Sequence, residues 1–359
     1  MRQCVNDAMD IHGGKGICMG PKNYLGRAYQ AIPISITVEG ANILTRNMMI
    51  FGQGAIRCHP YVLREMQAAA LDDHNEALTR FDRLLFEHIG FSLSNASASL
   101  LLGLTGGRLA GVPDYPQTRR YYQQLSRLAA SFATLTDMTM MMLGGELKRR
   151  ERISARLGDV LSNLYLASAT LKQYQDQGCP EEDLPFVQWG VEDLLAKTEQ
   201  AMHEIIHNFP DTRVGVLLRV LVFPLGRHMS PPADSVTAEV AKRLMTPGAA
   251  RDRLLDGCYQ SQDPDDVTGL INATLHKVIA ADPLEARIGK AIYKKELEVA
   301  SGADEVDAAI EAGVISADDA VLIRDAREAR AAVIAVDDFT KEEMTPTRKK
   351  RKTASAKPA

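Results

Sequence analysis

Two long amphipathic runs, residues 117–143 and 146–177, are separated only by Gly144-Gly145. In both, apolar residues recur at helical spacing, and helices joined by so short a turn must fold back on each other as an antiparallel pair. Such a pair commits the chain to helix-on-helix packing. Helical periodicity also covers residues 61–71, 75–88 and 93–102, before a stretch with four glycines and two prolines at 103–116 breaks it. A further helix is predicted over 181–208. Shorter ones follow beyond Pro231-Pro232, at 236–244, 249–255 and 267–281, and the charged, Ala-rich helices at 285–300 and 316–333 suggest a small accessory bundle. Apolar residues make up 45% of the 359 and aromatics only 6%. Leu, Ala, Met and Val dominate, which favours packed helices over sheets, so the expected class is all-α.

The composition also narrows function. A net charge of −4 gives no global field that would call for nucleic acid. Cys4, Cys18, Cys58, Cys179 and Cys258 are scattered, so neither a disulfide framework nor a zinc ribbon is indicated, and a reducing cytoplasm fits best. The opening Met1-Arg2-Gln3-Cys4 lacks the pattern of a signal peptide. Residues 214–225 are apolar but too short to span a bilayer.

The stretch Thr37-Val38-Glu39-Gly40-Ala41-Asn42-Ile43-Leu44-Thr45-Arg46 sets one carboxylate between an apolar run, 32–38, that reads as extended, and a helix expected from 40 to about 51. A glutamate at such a junction can face a cleft, and desolvation there raises its pKa from about 4.3 towards the range of a general base at neutral pH. An acid in the first turn of a helix, favoured by the helix dipole, is the plainer reading. Upstream, Asp10-Ile11-His12-Gly13-Gly14-Lys15-Gly16 precedes a polar stretch carrying Arg27.

Together these segments resemble the acyl-CoA dehydrogenase family. There a helix ends in a Gly-Gly-x-Gly turn, an arginine follows, and a Glu-Gly pair opens a helix with an arginine seven residues on. Gly13, Gly14, Gly16, Arg27, Glu39, Gly40 and Arg46 hold those places. The likeness is to the long bacterial fatty-acid-oxidising subgroup with a helical C-terminal extension. Asp10 and Ala41 depart from the family, which usually has a glutamine and often a threonine there. The resemblance implies the C-terminal helical part of a catalytic domain over 1–59 and a helical extension over 60–335, while the run Arg348-Lys349-Lys350-Arg351-Lys352 with Thr, Ala, Ser and Pro after it reads as a disordered basic tail over 336–359. It implies FAD bound with help from Gly13, Gly14 and Gly16, and Glu39 as catalytic base. The substrate would be a fatty acyl-CoA, oxidised to the trans-2-enoyl-CoA in β-oxidation, with an electron-transfer flavoprotein as acceptor and an oligomeric assembly. It also implies that Met1 lies inside a helix of the catalytic domain, and that the 359-residue chain alone would retain no FAD and show no activity.

Three other features compete with this reading. His203-Glu204-Ile205-Ile206-His207 satisfies the H-E-x-x-H pattern of zinc hydrolases, but Pro210 replaces the glycine of one continuation and no third ligand follows at a suitable spacing, so no metal site is expected. Gly103-Leu104-Thr105-Gly106-Gly107-Arg108 lacks the ending of a phosphate loop and reads as a connector. Lys148-Arg149-Arg150-Glu151-Arg152, with Arg156, is a basic helix face. It is either solvated or directed at an anion, such as the nucleotide end of coenzyme A or the headgroups of the inner membrane face. A non-catalytic helical interaction module remains the alternative to an enzyme.

Overall fold

The computed structural model describes residues 1–38, 41–263 and 265–345. Among them there is no strand, and the all-α expectation holds. The principal helices are α1 (Arg2–His12), α2 (Val62–Ala69), α3 (His74–Leu104), α4 (Arg119–Leu143), α5 (Glu151–Asp176), α6 (Leu184–His207), α7 (Thr212–Val222), α8 (Asp234–Met245), α9 (Val267–Tyr293), α10 (Glu305–Glu311) and α11 (Ala317–Ile334). They form two compact units. One is Ser35–Asp256, and the other joins Met1–Ile34 to the chain from Gly257 onwards. Among the described residues no helix is long and apolar enough to cross a membrane.

In the larger unit α5 lies against α6. On α5 the buried residues Leu157, Val160, Leu164, Ala167, Leu171 and Tyr174 follow one another in alternating three- and four-residue steps, which keeps one face on one partner. Val191, Leu195, Met202 and Ile205 answer from α6, and Leu128 and Leu135 close the layer from α4. Each large aliphatic side chain removed from water contributes about 1.5–3 kcal/mol, so this seam dominates the unit. Gly144, at φ 46°, ends α4 in a conformation that costs a side chain strain, and a 3₁₀ turn, Gly144–Lys148, then leads into α5. The second helix of the pair thus starts at Glu151, five residues later than its periodicity suggests. Asp73 and Asp211 cap α3 and α7 by accepting two backbone N–H groups each.

Several sequence expectations require correction. Residues 32–36 form a 3₁₀ turn, Ile32–Ile36, and not an extended segment, because an apolar run with no neighbouring strand cannot satisfy its backbone as a strand, whereas Pro33 suits a first helical turn. The helix after it does not stop near residue 51. It passes from Asn42–Leu44 through a π-helical stretch, Thr45–Gln53, to Gly54–Cys58, and ends where Pro60 forces an extended His59. The helix pair expected at 75–102 is the single α3, since Gly90 meets no crowding and costs only about 1 kcal/mol. Likewise α9 continues through Pro283, because Ala281 before it and Ile288 and Ala291 after it are all buried in the core of the smaller unit.

Beneath the main seam lies a fully buried charge. Glu199 accepts the backbone N–H groups of His228 and Met229 at 2.9–3.1 Å and faces the Arg127 guanidinium at 3.6 Å, itself 1% exposed. Burial pushes the Arg127 guanidinium down from its ordinary value, and Glu199 opposes that shift. Replacing Glu199 by alanine would strand both the cation and the two N–H groups, so Glu199→Ala should cost about 3–5 kcal/mol in urea unfolding. Adding Arg127→Met should restore part of that loss. A single variant within 1 kcal/mol of the parent would show that the pair is not the anchor of this layer.

Candidate functional site

The glycine turn forms as the sequence suggests, but its glycines serve different ends. Gly13 closes α1 at φ 54° and begins the 3₁₀ turn Gly13–Gly16. Gly13 and Gly14 are exposed, and a Cβ on either would meet nothing within 4 Å, which leaves an open backbone edge. Gly16 faces inward, where a Cβ would lie 3.2 Å from Met9 Cε. Lys15 between them is buried. Its Nζ donates to the Val333 carbonyl and lies 5.6 Å from the centre of the Tyr24 ring. His12 Nδ1 can only donate to the Ala8 carbonyl, at 2.9 Å, so the neutral ring presents Nε2 as acceptor to the Tyr24 hydroxyl. An open edge at Gly13 and Gly14 suits a flavin nucleotide, which needs close backbone approach. Gly16 serves packing instead.

Glu39 and Gly40 lie outside the described residues. Arg46 lies in the π-helical stretch and makes a two-pronged pair with Asp159 of α5, its Nε at 2.7 Å and its Nη2 also bonded, which raises the guanidinium above its ordinary value. This pair stands at the edge of a cleft of about 780 Å³ along α5 and α6. The carboxylates there are already engaged: Asp159 by Arg46, Glu204 by Arg156 at 2.9 Å and Asp193 by Lys197 at 2.6 Å. Arg152 makes no ion pair among the described residues, and Arg227 only reaches 3.9 Å from Glu199. The cleft therefore carries surplus positive charge, supplied in part by the basic run at 148–152.

The H-E-x-x-H segment sits on the last turns of α6 with its two imidazoles 6.2 Å apart, centre to centre. Glu204 is held by Arg156 and Gln200, and Arg227 and Arg219 add positive charge around His203. A different group, unseen in the sequence, brings His59, His88 and Asp137 within 4.8 Å of one another. Its members come from three separate segments, so no short spacing could have signalled them. His59 Nδ1 accepts the N–H groups of Tyr61 and Val62 at 3.2 and 3.3 Å, which places its proton on Nε2, donated to Asp137 at 2.7 Å. Ser92 donates to the other Asp137 oxygen and His88 Nδ1 bonds Glu65, each at 2.8 Å. A metal ion on His59 Nε2 would move that proton to Nδ1, where it would face two backbone N–H donors and no acceptor, so the group reads as a hydrogen-bonded knot that caps α2 and ties it to α3 and α4.

A family model described as acyl-CoA dehydrogenase, C-terminal, bacterial type, matches residues 56–339. The chain belongs to that family. Membership gives it a dehydrogenase role, as an oxidoreductase of fatty-acid metabolism. No solved structure matches the chain.

The His203 imidazole is pushed below its ordinary value first by burial and then by Arg227, His207 and Arg219, with Glu204 opposing. The unfolded chain takes up this proton near pH 6.5, while the folded one resists to lower pH. The stability contribution is thus present above pH 6.5 and lost as pH falls towards the folded value. His203→Gln should flatten the decline of Tm between pH 7 and pH 5, and a slope identical to that of the parent would remove His203 as its source.

Proposed function

We propose that this chain serves the flavin-dependent α,β-dehydrogenation of fatty acyl-CoA to trans-2-enoyl-CoA in fatty-acid β-oxidation. The observation that carries the reading is the order of its parts. An open glycine turn at Gly13 and Gly14, then Glu39-Gly40, then Arg46 seven residues on, run directly into the segment matched by the family. Residues 1–59 would be the C-terminal part of the catalytic domain and 60–335 its extension, a division by family likeness and not by compactness.

In this reading the Glu39 carboxylate takes the proton from Cα of the thioester, and a hydride leaves Cβ from the opposite face, so a trans double bond forms. Bound FAD would supply the acceptor for that hydride, with the electron pair passing on to an electron-transfer flavoprotein. Backbone N–H groups near Glu39 would hold the thioester oxygen and acidify the α-proton. The Arg46–Asp159 pair ties the helical stretch that carries Arg46 to α5. An oligomer follows from the family likeness.

The test is Glu39→Gln in protein expressed from its complete gene. Shape is kept and basicity lost, so kcat should fall by roughly 10²-fold or more while bound flavin is retained. Near-normal turnover would end the assignment of Glu39, and a parent protein without flavin would end the reading as a whole.

A further inference from the structure

We infer that residues 333–337 are a strap that sets the position of the glycine turn for FAD, and that Lys15 is the positioning residue through which it acts. The inference rests on the proposed flavin role of Gly13 and Gly14. Those two glycines make only local backbone bonds, from the Gly13 N–H to the Met9 and Asp10 carbonyls and from the Ile17 N–H to the Gly14 carbonyl, and a Cβ on either meets nothing within 4 Å. Their position is set by α1 before them and by the residues that follow.

Lys15 does not reach outward as a lysine awaiting a phosphate would. Its Nζ is turned inward onto the Val333 carbonyl, 318 residues away in the chain. That carbonyl lies in the last turn of α11, where no intrahelical donor remains for it, and the ammonium meets the negative end of the helix dipole. The bond thus satisfies a buried cation and an orphan acceptor together. The far end of the loop is held by the same strap. The Lys22 backbone N–H donates to Asp337 Oδ1 at 2.9 Å and Lys22 Nζ to the Val336 carbonyl at 3.2 Å. Contact is so close at Gly20 that a Cβ there would lie 2.3 Å from Asp337 Cγ. Just past the second anchor, Asn23 donates to the Gly16 carbonyl at 2.9 Å and accepts the Gly26 N–H at 2.8 Å, so the loop is closed on itself as well. Residues 15 and 22 therefore cannot shift independently of 333–337.

A part-buried hydrogen bond from a charged donor is worth enough that its loss should weaken whatever depends on it by about 10-fold. Lys15→Met keeps the apolar stem and removes the ammonium. Asp337→Ala, at a half-buried position, releases the other anchor without touching the turn. In the full chain, expressed from its complete gene, FAD dissociation would be followed by flavin fluorescence, and hydrogen exchange of residues 13–22 would be followed without flavin. Both variants should raise the FAD Kd about 10-fold and speed exchange in that loop, while KM for acyl-CoA at saturating FAD stays within about twofold. Lys15→Arg, which restores a donor, should recover most of the affinity. Parental FAD affinity in both variants would overturn the strap, whether or not exchange had changed, and a parallel rise in Kd and KM would reduce it to general stability. A parent protein that binds no FAD would instead overturn the flavin reading on which it rests.

Discussion

The apolar seam between α5 and α6 is the interaction on which the larger unit depends. Its alternation of three- and four-residue steps holds the two helices side by side for most of their length, and α4 and α7 find their places against it. Polar groups enter this layer only under constraint. Glu199 takes backbone N–H groups from the 228–229 turn and stands opposite Arg127, so the loop after α7 is tied to the seam by a charge it cannot release cheaply. The outer face of the same helix pair, free of that constraint, gathers arginines, lysine and carboxylates into the open cleft.

Much of the architecture could be read from residue order, for identifiable reasons. Helices that bury a regular stripe, such as α4, α5 and α6, announce themselves through periodicity. The short helix at Ala249–Leu255 falls where its pattern puts it. Breakers misled wherever burial on both sides outweighed their cost, at Gly90 and at Pro283. The segment 32–38 misled for the opposite reason: its β-branched composition suits a strand, yet no strand exists among the described residues to pair with it. Of the candidate site, the glycine turn was legible because Gly-Gly-x-Gly has a local meaning. The inward course of Lys15 and the His59–Asp137 knot were not, since each depends on partners far away in the chain.

The two histidine groups show how much a proton's location decides. His203 and His207 carry a sequence pattern associated with zinc, yet Glu204 is already held by an arginine and further guanidinium groups stand around His203. His59 and His88 carry no pattern and sit half-buried among carboxylates, but two backbone N–H groups at the start of α2 dictate the His59 tautomer. Close approach of imidazole and carboxylate is therefore used here to fasten three helices, and a donor count separates that use from metal binding more sharply than distance does.

The contact between Lys15 and Val333 has a consequence in time. These residues are 318 positions apart. At a ribosomal rate of roughly 5–20 residues per second, some 15–60 s pass between the synthesis of one and the other. During that interval the buried lysine has no carbonyl to meet, and Gly20 has no carboxylate packed against it. The glycine turn is thus made well before the strap that fixes it, and its backbone edge takes its final form only once residues 333–337 have been synthesised.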